Sequence, residues 1–183
     1  MPPASHRERL LAAAKTLLAE REYGAITARD LVSASGTNLG SIGYHFGSKD
    51  ALLNVAIGEV LEEWGQAAID AATGDPMEQL VGALARIIDS RDRVRPYYQA
   101  FLAAVARCAH APDLQLKLAD HYTRQRDRVA TLVVSAFGSE PPEALKALAV
   151  AVVDGLLLQN YVDPENTPTA EDIVGTCRAL LGK

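Results

Sequence analysis

Apolar residues recur at helical spacing along this chain, and the residues that punctuate them predict nine helices and an all-α fold. The first helix covers about residues 5–22, opened by a Ser5-x-x-Glu8 capping box and striped by Leu10, Ala14, Leu17 and Leu18. A second opens at Thr27, whose side chain can accept a backbone N–H while Asp30 complements the positive end of the helix dipole; Leu31 and Val32 supply its apolar face. Ser35, Gly36 and Thr37 then turn the chain, glycine suiting a corner where a positive φ or close helix approach disfavours a Cβ. Asn38 caps a third helix in which Leu39 and Ile42 point one way and Ser41, Tyr44 and His45 another. Gly40 and Gly43 each cost about 1 kcal/mol relative to Ala in a helix interior, and close approach to another surface would offset that cost.

A fourth helix runs from a Ser48 cap to about residue 72, with Leu52, Leu53, Ala56, Val60 and Trp64 in register, and reads as a lever between two domains. Asp75 and Pro76 end the following Thr-Gly turn and start the fifth helix as cap and first position, and Pro96, Pro112 and the Pro141-Pro142 pair punctuate the sixth, seventh and eighth. The sixth carries Val94, Tyr97, Tyr98, Phe101, Leu102, Val105 and Cys108 as one stripe, and the seventh Leu114, Leu118, Tyr122, Val129 and Val133. Such stripes are ordinarily core, yet a pocket of apolar walls with a few polar tips needs the same mixture. Trp64, Tyr97, Tyr98, Phe101, Arg107 and Tyr122 are the candidate ligand-lining residues. Arg107 reads either as a solvated helix residue or as a charge that selects an acidic or carbonyl-bearing effector.

The last two helices carry more apolar surface than one neighbour needs. Leu145, Leu148, Val152 and Leu156, with Gly155 allowing close backbone approach, and Ile173, Cys177 and Leu180 are the candidate dimer seam; in a monomer they would be internal core. Asp154 reads either as a contact to a partner chain or as part of the pocket.

Composition fits a compact helical protein: 183 residues, 49% hydrophobic and only 5% aromatic. The apolar run from Ala147 to Leu158 is broken by Asp154, so no membrane span is expected, and the N-terminus runs into an amphipathic helix instead of a leader core, which implies a cytoplasmic address. Net charge is −5, at first sight unlike a nucleic-acid binder. The halves differ: residues 1–50 hold six basic and five acidic residues, and the rest twelve and eighteen, a near-neutral head on an acidic body. Such a head suits phosphate contact by helix N-termini and a few cations.

Other chemistries find little support. Gly36, Gly40 and Gly43 lack dinucleotide-fingerprint spacing, and Gly47-Ser48-Lys49 lacks the order of a phosphate loop. Ser41 and His45 share a helix face, but nothing nearby would orient the histidine or hold an oxyanion. Cys108 and Cys177 read as small buried hydrophobes, and His6, His45, His110 and His121 do not combine with them at metal-ligand spacing. No catalytic residue, metal or cofactor is expected; an enzyme reading would rest on His110 or His121.

The run Gly-Tyr-His-Phe-Gly-Ser-Lys-Asp-Ala-Leu-Leu over residues 43–53, following the Ser-Gly-Thr corner, resembles the N-terminal domain of the TetR (tetracycline repressor) family of bacterial transcription regulators. The resemblance implies a three-helix helix-turn-helix head, residues 1–50, and a helical effector-binding and dimerisation body, residues 51–183. It assigns DNA contact to Thr27, Asn38, Ser41, Tyr44, His45 and Lys49, with Asn38 and Ser41 the better placed to read base edges and the others to fix register on phosphates. Gly43 departs from the family, in which many members carry Leu or Tyr there. The expected function is a homodimeric repressor of a double-stranded, pseudo-palindromic operator, released by a small-molecule effector of unknown identity, with no membrane partner. A ligand-independent or activating regulator, or a helical protein–protein adaptor, are the alternatives.

Overall fold

The computed structural model describes residues 4–137 and 142–181, without the side chains of residues 133, 136, 137, 180 and 181. Among the described residues the regular structure is helical: α1 (His6–Glu20), α2 (Ala28–Ser35), α3 (Leu39–Phe46), α4 (Lys49–Asp70), α5 (Pro76–Asp89), α6 (Arg91–Cys108), α7 (Pro112–Phe137), α8 (Glu143–Val162) and α9 (Ala170–Leu181). The expectations for Pro141 and for the side chains of Val133 and Leu180 fall outside the described residues.

Local chemistry explains where these helices start. Ser5 with Glu8, Thr27 with Asp30 and Asp75 with Glu78 each form a reciprocal capping box at the starts of α1, α2 and α5. Thr169 and Asp172 make the same exchange at the start of α9. α1 stops at Glu20, short of residue 22, because Arg21 turns extended and donates its N–H to the Leu17 carbonyl; a single 3-10 turn, Tyr23–Ala25, follows.

Pro96 does not start α6 as its sequence position implied. The helix begins at Arg91, with only Ser90 between it and the end of α5, and continues through Pro96. An internal proline removes one backbone bond and costs about 3 kcal/mol, while burying a large apolar side chain returns about 1.5–3 kcal/mol. Val94 and Tyr98, on either side of the proline, are both buried, which offsets the loss.

The chain packs as two compact units: residues 1–61 with 96–111, and residues 62–95 with 112–183. The boundary drawn at residue 50 from the sequence lies inside the first. In that unit α1 packs on α2 and α3, and Leu10, Leu18, Ile26, Leu31, Leu52 and Leu53 are fully buried, with Tyr98 and Phe101 of α6 also in its core. In the second, α5 packs on α7, α8 and α9, and α7 on α8, around Val81, Ile88, Val94, Leu132, Val150 and Leu157.

The apolar residues of α8 divide between two faces. Val150 and Leu157 turn inward, together with Lys146 and Asn160, whereas Leu145, Leu148 and Val152 lie exposed, Leu148 at 62%. These three are therefore not internal core of one chain. Gly155 and Leu156 are half-buried, as are Ile173 and Cys177 of α9, whose neighbour in the chain is α5. By length and composition α8 would also be able to cross a membrane, with a mean hydropathy of 1.4 over its best window; Asp154 does not interrupt it enough to fail that test, as the sequence had suggested.

Candidate nucleic-acid interface

The first unit builds its outward face from the corner between α2 and α3. Gly36 adopts φ 60°, ψ 34°, the left-handed conformation that an L side chain rarely takes, and Arg9 Nη1 lies 3.6 Å from where its Cβ would stand. The corner is thus glycine's for its backbone conformation, the approach of Arg9 being ordinary van der Waals contact. Thr37 N–H donates back to the Val32 carbonyl, and Ser35 and Thr37 hydroxyls lie 2.7 Å apart, closing the turn.

At the start of α3 the Asn38 side-chain oxygen accepts from the Ser41 N–H at 3.0 Å and from the Ser41 hydroxyl at 3.3 Å. His6 Nδ1, from α1, lies 3.1 Å from the same hydroxyl. Ser41 is only 8% exposed. This corrects the expectation that Ser41 shares an outer face with Tyr44: its hydroxyl is engaged inside the head. With 100° between successive residues, burying Ser41 and Ile42 also draws His45 and Phe46 inward and turns Leu39, Gly40, Gly43 and Tyr44 out. Leu39 was expected beside Ile42 on the inner face; it is instead 55% exposed, and Tyr44 is 86% exposed. The helix is eight residues long with one fully apolar inward anchor, so the polar pair His6 and Asn38 sets its rotation.

The other expected contact residues take defined places around this face. His45 is half-buried, its ring edge-on to Tyr44 at 4.9 Å and 6.4 Å from Phe46, while Arg7 stacks its guanidinium over Phe46. Lys49, at the start of α4, donates to the Ile26 carbonyl at 3.0 Å, pairs with Asp50 at 3.3 Å and lies over the Tyr23 ring. Thr27 is exposed; its hydroxyl and backbone N–H both donate to Asp30, which holds that carboxyl below the usual range. Thr27, Asn38 and Tyr44 are therefore exposed and His45 and Lys49 half-buried, with Leu39 and Ser41 the residues whose faces differ from the sequence expectation.

The six candidate ligand-lining residues divide between the units. In the first, Tyr98 and Phe101 stack at 6.2 Å and are buried, Tyr97 donates its hydroxyl to the Lys15 carbonyl of α1 at 2.9 Å, and Arg107 lies 4.9 Å over the Tyr23 ring. Burial pushes the Tyr23 and Tyr97 hydroxyls up. Neither reading of Arg107 from sequence, solvated or ligand-selecting, anticipated its stacking on an aromatic ring.

In the second unit Trp64 donates its indole N–H to Ser90 at 2.8 Å, and Tyr122 hydrogen-bonds Asp154. Beside them lies a polar cluster the sequence reading did not assemble. Glu62 accepts from Arg124 and from Arg128, both at 2.9 Å, and His121 Nδ1 stands 3.6 Å from it. The signal was the basic pair Arg124 and Arg128, one helical turn apart on α7. Burial pulls the His121 imidazole below its ordinary value against the opposing pull of Glu62 and Asp154. Burial pushes the Asp154 carboxyl up, with Tyr122 offsetting part of the rise, and pushes Glu62 up too, but the two arginines outweigh it and leave Glu62 below the usual range. A separate cavity of about 380 Å³ opens between α5 and α9, lined by Met77, Glu78, Val81, Gly82, Val174 and Arg178 among others, and includes none of the six candidates.

Comparison with known proteins places these features in a family. Residues 10–56 match the family model for bacterial regulatory proteins of the tetR family, and residues 75–183 the model for the tetracyclin repressor-like C-terminal domain. The HTH-type transcriptional repressor KstR2 of Mycolicibacterium smegmatis is 37% identical over 84 residues, 44% of this chain and 40% of that repressor's length. The HTH-type transcriptional repressor Rv3405c of Mycobacterium tuberculosis is 31% identical over 131 residues, covering 58% of this chain and 68% of its own. Among solved structures, one described as a TetR-family transcriptional regulator from a Rhodococcus species superposes with a TM-score of 0.73 at 20% identity, covering 97% of this chain and 96% of its own. With both family models matched in order and an all-helical fold shared, this chain belongs to the TetR family of bacterial transcription regulators.

Proposed function

We propose that this protein is a homodimeric repressor that binds a pseudo-palindromic operator through α3 of each copy and is released by a small molecule held in its helical body. The observation that carries the DNA reading is the outward face of α3, where Leu39, Gly40, Gly43 and Tyr44 are exposed beyond a glycine corner. Tyr44, His45, Lys49 and Thr27 would fix register on phosphates, and the exposed Asn38 keeps its amide N–H groups for the groove. The exposed stripe Leu145, Leu148 and Val152 supports pairing through α8: a two-fold contact there would cover it and hold two heads about 34–36 Å apart, one helical turn of DNA. The protein would act in the cytoplasm, without a cofactor.

Release follows from linkage: an effector that prefers a conformer with the heads at another separation lowers DNA affinity by the ratio of its affinities for the two states. Trp64 and Tyr122 are the polar-tipped aromatics offered for that role in the second unit. The test is selection of bound duplexes from a random pool, followed by a metabolite screen for release. Recovery of an inverted repeat bound by a dimer supports the reading; failure to retard any duplex at low salt refutes it.

A further inference from the structure

The outward face of α3 is chemically odd for a DNA reader. The serine expected to read bases is buried, and the Asn38 oxygen is spent on the Ser41 N–H and hydroxyl. What the head presents at the first position of the helix is an aliphatic side chain, Leu39, 55% exposed. Next to it on the same face are two glycines. A Cβ built on Gly43 would meet nothing within 4 Å, so no packing inside the protein demands glycine there, although glycine weakens so short a helix. At Gly40 a Cβ would stand 3.1 Å from the Asn38 capping oxygen, so that glycine is explained by the cap and Gly43 is not.

Both anomalies have one solution if the partner is DNA. The major groove displays a single apolar group, the 5-methyl of thymine, and an aliphatic side chain recognises it by contact. A glycine on the same face lets the helix backbone sit closer to the base edges than any side chain would permit. We propose that Leu39 is a specificity-determining residue that packs on a thymine methyl in each operator half-site, and that Gly43 sets the depth of α3 needed for that contact. The inference rests on the DNA-binding reading above.

The test takes the tightest duplex selected by the full-length protein and replaces each thymine in turn with deoxyuridine, which removes only the methyl. One position per half-site should lose affinity about fourfold, the worth of one buried methyl. Leu39→Ala should bind the thymine duplex correspondingly more weakly and no longer distinguish it from the deoxyuridine duplex at that position; circular dichroism checks that this exposed change leaves the fold intact. Gly43→Leu should strengthen α3 yet weaken binding to every duplex. If the wild-type protein binds its duplex but no deoxyuridine replacement matters, the inference is overturned while the DNA-binding reading stands. If it binds no duplex at all, both fall.

Discussion

The Tyr97 hydroxyl donates to the Lys15 carbonyl, so α6 is tied to α1 across 82 positions of sequence. That carbonyl is a helix acceptor already, and the added bond joins α6 to α1 within the unit that carries α3. Tyr97→Phe keeps the ring and removes only this donor. It should lower stability by about 0.5–1.5 kcal/mol, read as a drop of a few degrees in the thermal midpoint.

Ser41→Ala tests the rotation of α3. Since the hydroxyl faces His6 and Asn38 inside the head, its loss should cost about 1 kcal/mol of stability and leave the selected operator sequence as it was. A shifted base preference with unchanged stability would mean that the serine reads DNA after all.

Tyr44→Ala makes the opposite case. At 86% exposure the ring supports little of the fold, and the thermal midpoint should hold to within about 0.5 kcal/mol. Gel retardation should nonetheless show a large loss of operator binding, because the ring is the most prominent group on the reading face.

His121 should make the second unit sensitive to mild acid. Its folded pKa lies below its ordinary value of 6.5, so the unfolded chain takes up a proton first. The stability this group contributes is therefore present above pH 6.5 and is lost as the pH falls below it. Glu62, also lowered, adds a loss at the more acidic pH of carboxylate protonation, from its ordinary 4.5 downward, and Asp154, raised, acts in the opposite sense. Denaturant midpoints measured from pH 7 to 5 should fall in the wild type and flatten in His121→Gln.

Leu148→Glu with Val152→Glu addresses the α8 stripe. Both side chains are exposed in the single chain, so the fold should survive. Sedimentation should show a monomer where the wild type is a dimer, and operator affinity should collapse with it. A variant that stays dimeric would move the seam elsewhere; recovery of the wild type with lipid vesicles would give the apolar face of α8 a different partner.

The corner and the caps were legible because each depends on local rules: a positive φ at Gly36, a hydroxyl and a carboxylate three positions apart at Thr27 and Asp30. The rotation of α3 was not. Ile42 alone does not distinguish a face shared with Leu39 from one shared with Ser41, and the deciding contact comes from His6, 35 positions away. The passage of α6 through Pro96 was hidden for a similar reason, since the compensating burial of Val94 and Tyr98 is tertiary. Charge clusters suffered most: Glu62 meets Arg124 and Arg128 only once α4 and α7 are side by side.

The division of the chain at residues 61, 95 and 111 gives the reading head an unusual covalent topology. Its polypeptide departs into the second unit after Leu61, returns at Pro96 and departs again after Ala111, so the head is closed by a segment that arrives late in synthesis. A ribosome that has released only the first sixty residues has made the corner and the reading helix but not Tyr98 and Phe101, the buried aromatic pair of the same unit. The head would then finish folding only after residues 62–95 have been made, which defers a competent DNA-binding surface until much of the chain has emerged.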